Sequence, residues 1–206
     1  MKSYKSTIIR KYGTSVCVDR LIESEIAMIS STKALLGRAS RNNNNMRTLN
    51  NQKEGIFLPD CDVQSGDFIR HVSRGDVFVV GGVHPEYEGD SILSKVCNLL
   101  VCHHTLTIRG TVRVADERGN LKTQFGDKYK DVPCYLEEVD DGLRQYEPGL
   151  HPDTEYRIYT AKLEIDDNDQ LVINVLGKEE KFKVVARNYV TFPGLLVIEV
   201  KRDVRA

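Results

Sequence analysis

The chain has no tryptophan, and aromatic residues make up only 7% of it, so the stacking platforms that hold single-stranded nucleic acid are poorly supplied. Long apolar runs are missing too. The longest, at 77–83 and 194–200, are broken by glycine or charge and fall well short of the ~20 residues that a membrane-crossing helix needs. A dominant charge is absent: 29 Lys and Arg stand against 30 Asp and Glu, a net charge of −1, which excludes a global electrostatic pull toward nucleic acid or a membrane surface. No apolar core follows Met1-Lys2-Ser3-Tyr4-Lys5, so no secretory leader is expected, and the protein is expected to act where it is made or to be released by lysis. The cysteines, Cys17, Cys61, Cys97, Cys102 and Cys134, are odd in number and irregularly spaced. That argues against a disulfide framework and for the reduced thiols of a cytoplasm.

Recognisable chemistry is equally scarce. There is no serine in a nucleophile elbow, no glycine-rich phosphate loop and no His-Glu-x-x-His pair. The stretch Cys97-Asn98-Leu99-Leu100-Val101-Cys102-His103-His104 gathers four zinc-ligand types, but Cys97 and Cys102 on one strand would point to opposite faces, and the two histidines diverge when extended. Asp60, Asp62 and Asp67, like Asp166, Asp167 and Asp169, lack the ligand order of a calcium loop and read as solvated turn residues. No catalytic residue, metal or cofactor is expected, and the chain reads as non-enzymatic.

What the sequence does contain is an internal repeat. Gly66-Asp67-Phe68-Ile69 leads to Val77-Phe78-Val79-Val80, and about a hundred residues later Asp169-Gln170-Leu171 leads to Lys181-Phe182-Lys183-Val184-Val185. Thr7-Ile8-Ile9-Arg10 is set beside Thr105-Leu106-Thr107-Ile108-Arg109 as the opening of each copy, and Glu25-Ile26-Ala27-Met28-Ile29 beside Asp131-Val132-Pro133-Cys134-Tyr135. Loops holding Pro85 to Gly89 and Pro193-Gly194 follow, and Ile92-Leu93-Ser94-Lys95-Val96 is matched with the closing Leu196-Val197-Ile198-Glu199-Val200. Period-two alternation at 162–165, 172–175 and 181–185 marks half-buried antiparallel strands. The fold expected is mainly all-β: two tandem small antiparallel barrel or sandwich modules, residues 1–100 and 101–206, with at most one short helix. The helix candidate is 20–36, where Leu21, Ile22, Ile26 and Ile29 have helical spacing, although the aligned second copy reads as a strand.

Each module carries one long polar excursion at a corresponding place. Residues 33–54 hold Lys33, Arg38, Arg41, Arg47 and Lys53 against Glu54, around the run Asn42-Asn43-Asn44-Asn45. Residues 137–155 hold Glu137, Glu138, Asp140, Asp141, Glu147, Asp153 and Glu155 against Arg144. Long loops in compact domains are commonly functional or disordered, and two merely solvated loops are the alternative reading. The basic set is a candidate interface with DNA or protein, and the acidic set is its candidate counterpart.

The order of these elements, with Ser65-Gly66-Asp67-Phe68-Ile69, Phe78-Val79-Val80, Tyr156-Arg157-Ile158-Tyr159 and the closing Ile198-Glu199-Val200-Lys201-Arg202, resembles the head-closure (stopper, or head–tail adaptor) neck proteins of long-tailed bacteriophages. Those proteins usually carry one such module, and this chain has two. The resemblance implies a structural subunit of the virion neck: a homo-oligomeric β-barrel ring, assembled in the host cytoplasm, that joins the portal or connector to the tail and seals or passes the DNA channel. Its implied partners are portal and tail proteins of the same virion, with sequence-independent contact to packaged double-stranded DNA and none to a membrane. Alternative readings are another tail part, such as a tail terminator, a completion protein or a baseplate adaptor, or a cellular β-rich binding module.

Overall fold

The computed structural model describes residues 4–38, 51–115, 121–175, 177–190 and 194–204, without the side chains of 38 and 112–124. The chain divides into two compact units, Met1–Cys102 with Tyr189–Leu195, and His103–Asn188 with Leu196–Ala206. Each contains a closed antiparallel barrel.

The first unit opens with a helix, α1 (Tyr4–Tyr12), followed by strands β1 (Thr14–Ile22), β2 (Glu25–Arg38), β3 (Gln52–Phe57), β4 (Phe68–His71), β5 (Val77–Glu88) and β6 (Ser91–Cys102). Around the barrel they run β1-β2-β3-β6-β5-β4, and β4 closes on β1 through Val18 opposite Ile69. Alternation dictates the inside: Val16, Val18, Ala34, Phe57, Ile69, Phe78, Val80, Cys97 and Leu99 form one buried cluster. A fully buried side chain of this size contributes about 1.5–3 kcal/mol.

The second unit contains β7 (His104–Ala115), β8 (Leu121–Glu138), a one-turn helix α2 (Asp141–Tyr146), β9 (Tyr156–Ala161), β10 (Gln170–Val175), β11 (Lys178–Asn188) and β12 (Leu195–Arg202). Its order is β7-β8-β9-β12-β11-β10, which is the order of the first barrel strand for strand. The registers match as well. Val18 opposite Ile69 corresponds to Ile108 opposite Leu171, and Ile69 opposite Phe78 to Leu171 opposite Phe182. Val80 opposite Leu99 corresponds to Val184 opposite Val200, and the residue that follows, Gly81 or Val185, is skipped by the ladder in both copies. All of these core partners are buried in both units. The repeat is therefore structural.

Several expected alignments are corrected. Thr7–Arg10 is not a strand equivalent to 105–109; it lies in α1, whose Ile9 is fully buried and whose Arg10 and Lys11 suit the negative C-terminal end of a helix. The true counterparts of β7 are in β1. Residues 20–36 form no helix. Ile22 pairs with Glu25 across a two-residue turn in which Glu23 has φ 57°, so the apolar spacing serves a hairpin instead. The described helices number two, where at most one was expected. The last strands align with Cys97 on Ile198, three residues from the expected register. Pro85 lies within β5 opposite Lys95 and not in a loop, and residues 162–165 are outside any ladder although Leu163 and Ile165 are buried.

Both polar excursions are shorter than their sequences suggested. Lys33 sits on β2 and Lys53 on β3, opposite Arg38, so the strands consume both ends of 33–54. Glu137 and Glu138 end β8, and α2 occupies the middle of 137–155.

Phe182→Ala empties the centre of the second barrel and is expected to lower unfolding free energy by about 3–5 kcal/mol in chemical denaturation. Gly66 has φ +92°, donates its N–H to the Val80 carbonyl, and a Cβ there would sit 2.3 Å from the Gly194 carbonyl oxygen. Gly66→Ala should therefore destabilise the protein by at least about 1–3 kcal/mol, whereas Gly75→Ala, which meets nothing within 4 Å, should cost less by the same measurement.

Candidate functional site

The turn before the fourth strand of each barrel is built around a carboxylate. Asp67 and Asp169 are almost fully buried, at 1% and 3% exposure, so reading them as solvated is overturned; Asp60, Asp62, Asp166 and Asp167 are the exposed members of those turns. The Asp67 carboxylate accepts the Gln64 N–H at 2.8 Å, and that of Asp169 accepts the Asp166 N–H at 2.9 Å. A buried carboxylate is tolerated only when it is paired and hydrogen-bonded. Arg20 supplies the pairing to Asp67, Nε to Oδ1 at 2.7 Å and Nη2 to Oδ2 at 3.0 Å, while Lys128 lies 3.5 Å from Asp169. The carboxylate hydrogen bond holds the Arg20 guanidinium above its ordinary pKa.

In the second unit this turn borders an open recess of about 640 Å³ lined by Gly110, Thr111, Asp127, Lys128 and Asp166 to Asp169. Its acids are engaged: Asp127 with Arg109 at 3.1 Å, Asp166 with Lys128 at 3.4 Å, and Asp167 with Arg187 at 2.6 Å. Each of these three acids is thus paired with a cation, Asp166 and Asp167 from exposed positions.

The acidic candidates divide in two. Glu137 accepts the Tyr159 hydroxyl at 2.8 Å and stands 4.0 Å from Arg157, and Glu147 also bonds Arg157, whose side chain is buried. Burial pushes the Tyr159 phenol up, and the Glu137 charge adds to the shift. Asp140 caps α2 by accepting the Leu143 N–H at 2.8 Å. These residues hold the β8–α2 connection in place. Glu138 and Asp141 are the exposed remainder.

Among the basic candidates, Lys33 is exposed and its ammonium donates to the Arg10 carbonyl at 2.9 Å, while Lys53 is half-buried. Arg38 has its backbone on β2; its side chain, Arg41 and Arg47 lie outside the described residues. The structure thus separates Lys33 from Lys53 onto two strands. It brings in Arg10 of α1, which the sequence reading missed because it took that segment for a strand.

The cysteine–histidine stretch disperses. Cys97 faces the buried cluster, the Cys102 thiol points to the Leu100 carbonyl at 3.9 Å, and His104 reaches the Asn174 carbonyl at 3.4 Å. Among the described residues, no three His, Cys, Asp or Glu side chains are grouped to hold a metal, and no helix is long and apolar enough to cross a membrane.

Compared with known proteins, the chain matches no family model and no curated sequence.

Burial raises the Cys97 thiol from 9.0 to about 12. The unfolded chain releases this proton near pH 9 while the folded chain keeps it, so the stabilisation is present below pH 9 and lost as pH rises toward 12. Urea unfolding under reducing conditions should show stability falling across that window, and Cys97→Val should lessen the fall, leaving the share of Cys61 and Cys102, whose thiols burial also raises.

Proposed function

We propose that the chain is a structural subunit of a bacteriophage neck, a head-closure or head–tail connector component that assembles into a ring between portal and tail around the DNA channel. The observation that carries the reading is the duplicated barrel with opposite charges on one topological connection. Arg41 and Arg47 fall between β2 and β3, with Lys33, Arg38 and Lys53 on those two strands, and at the counterpart β8–β9 connection Asp140, Asp141 and Glu147 follow Glu137 and Glu138 at the end of β8. A ring needs a heterologous contact, in which two different surfaces of one chain meet, and opposite charges at equivalent places supply it. Closed barrels suit such a building block, because they leave no full sheet edge free for uncontrolled pairing. The order of the repeated elements, which resembles phage head-closure proteins, supports the neck over other assemblies.

The acidic half of the contact is best represented by Glu138 and Asp141, since Glu137 and Glu147 are held by Arg157 and Tyr159. Native mass spectrometry of the purified chain should resolve a discrete ring. Reversal of Arg38, Arg41 and Arg47 to Glu should shift the mass to the monomer, and Glu138→Lys with Asp141→Lys should restore the ring. A wild-type chain that stays monomeric at every concentration refutes the proposal.

A further inference from the structure

A second recess lies entirely within the first unit, where the end of α1 meets the outer face of β1 and β2. It is about 490 Å³ and is lined by Arg10, Ser15, Ser31, Thr32, Lys33 and Leu58. Two side chains are cationic, three are hydroxyls, and none of the lining is acidic. The placement follows from register: Ser15 is opposite Lys33, and Cys17 is opposite Ser31. Ser15, Ser31 and Lys33 therefore share one face, while Val16 and Val18, the alternate positions of β1, fill the core.

Both cations line the recess. The Lys33 ammonium donates to the backbone carbonyl of Arg10 at 2.9 Å, which fixes its position beside the residue carrying the guanidinium. Bringing like charges together is unfavourable unless an anion neutralises them. The carbonyls ending α1 would repel such an anion, but two are already occupied: Ile9 accepts the Gly13 N–H at 2.8 Å, and Arg10 accepts Lys33. An opposing charge, Asp60, lies 3.9 Å from Arg10, with both side chains more than half exposed. So weak an exposed pair leaves the guanidinium free to turn to a stronger anion.

We propose that this recess binds a phosphate group, with Arg10 and Lys33 as the charges and Ser15 and Ser31 as hydroxyl donors. Arginine offers a fork suited to two phosphate oxygens, lysine a point charge and hydroxyls neutral donors, a set that recurs where proteins hold the nucleic-acid backbone. The source that the neck reading favours is the backbone of duplex DNA. The choice of source rests on that reading; the recess itself does not.

The test is fluorescence anisotropy of a labelled duplex of arbitrary sequence, titrated with the full chain over a range of salt, alongside proton–nitrogen NMR titration with inorganic phosphate. For the wild-type chain, duplex binding should weaken steeply with salt and be indifferent to sequence. Arg10→Gln should weaken it at least about fivefold and reduce the log–log salt slope by about 1. Lys33→Gln should do the same and Lys33→Arg should recover it, which separates charge from the capping of α1. Asp60→Asn should tighten binding by removing the competing carboxylate. If Arg10→Gln, Lys33→Gln and Asp60→Asn all leave both affinities within twofold, the recess is not the site and the proposal fails. If the amides of Ser15, Ser31 and Lys33 shift with inorganic phosphate but duplex does not bind, the recess stands and its source is free phosphate. A ring that forms normally in Arg10→Gln while duplex binding is lost supports the recess without touching the assembly claim, and loss of both ligands with an intact ring does likewise.

Discussion

Closure of each barrel depends on one buried carboxylate. The fourth strand must leave its turn beside the first, because it closes the barrel by pairing with it, Val18 opposite Ile69 in one copy and Ile108 opposite Leu171 in the other. Asp67 sets that turn from inside, tying the peptide three residues back and the guanidinium of a neighbouring strand to one side chain. Its own backbone completes the lock, since the Val80 N–H donates to the Asp67 carbonyl at 2.9 Å and the Gly66 N–H to the Val80 carbonyl. Asp169 makes the same turn bond in the second barrel, with a lysine from β8 in place of an arginine from β1. The turn geometry is common to both copies, and the partner that neutralises it is not. A carboxylate left unpaired in such a place would cost several kcal/mol, so each copy had to keep a cation, though not the same one.

The parts of this fold that could be read from the sequence are those where side-chain pattern and backbone demand coincide. Phe78 and Phe182 stood out because each sits in an alternating strand behind an aspartate turn, and the structure puts them at equivalent core positions. The second-to-third-strand connections were also legible, because their charge is concentrated and opposite. The failures have physical causes. Thr7–Arg10 contains β-branched residues that suit a strand in isolation, but Ile9 is buried from a helix against β2 and β6, and tertiary burial outweighs weak local preference. In 20–36 the apolar residues satisfy helical and hairpin spacing alike, and the turn at Glu23 and Ser24, which carries no glycine, gave no warning. The burial of Asp67 and Asp169 could not be seen either, because a turn aspartate has the same neighbours in sequence whether it faces water or the interior.

Counting charges along 137–155 treats every carboxylate as available, yet two of them serve the buried Arg157 and one caps α2. What a partner meets is the remainder after the fold has used its share. The basic counterpart changes in the opposite sense: the structure adds Arg10, distant in sequence, to the face that holds Lys33.

Two barrels of one strand order in a single polypeptide alter the composition of any closed assembly built from it. An assembly of n such chains would carry n barrels of each kind, whatever its symmetry. Each position of the shared scaffold therefore occurs twice per chain, so its two copies are free to diverge, one toward a basic side chain and the other toward an acidic one.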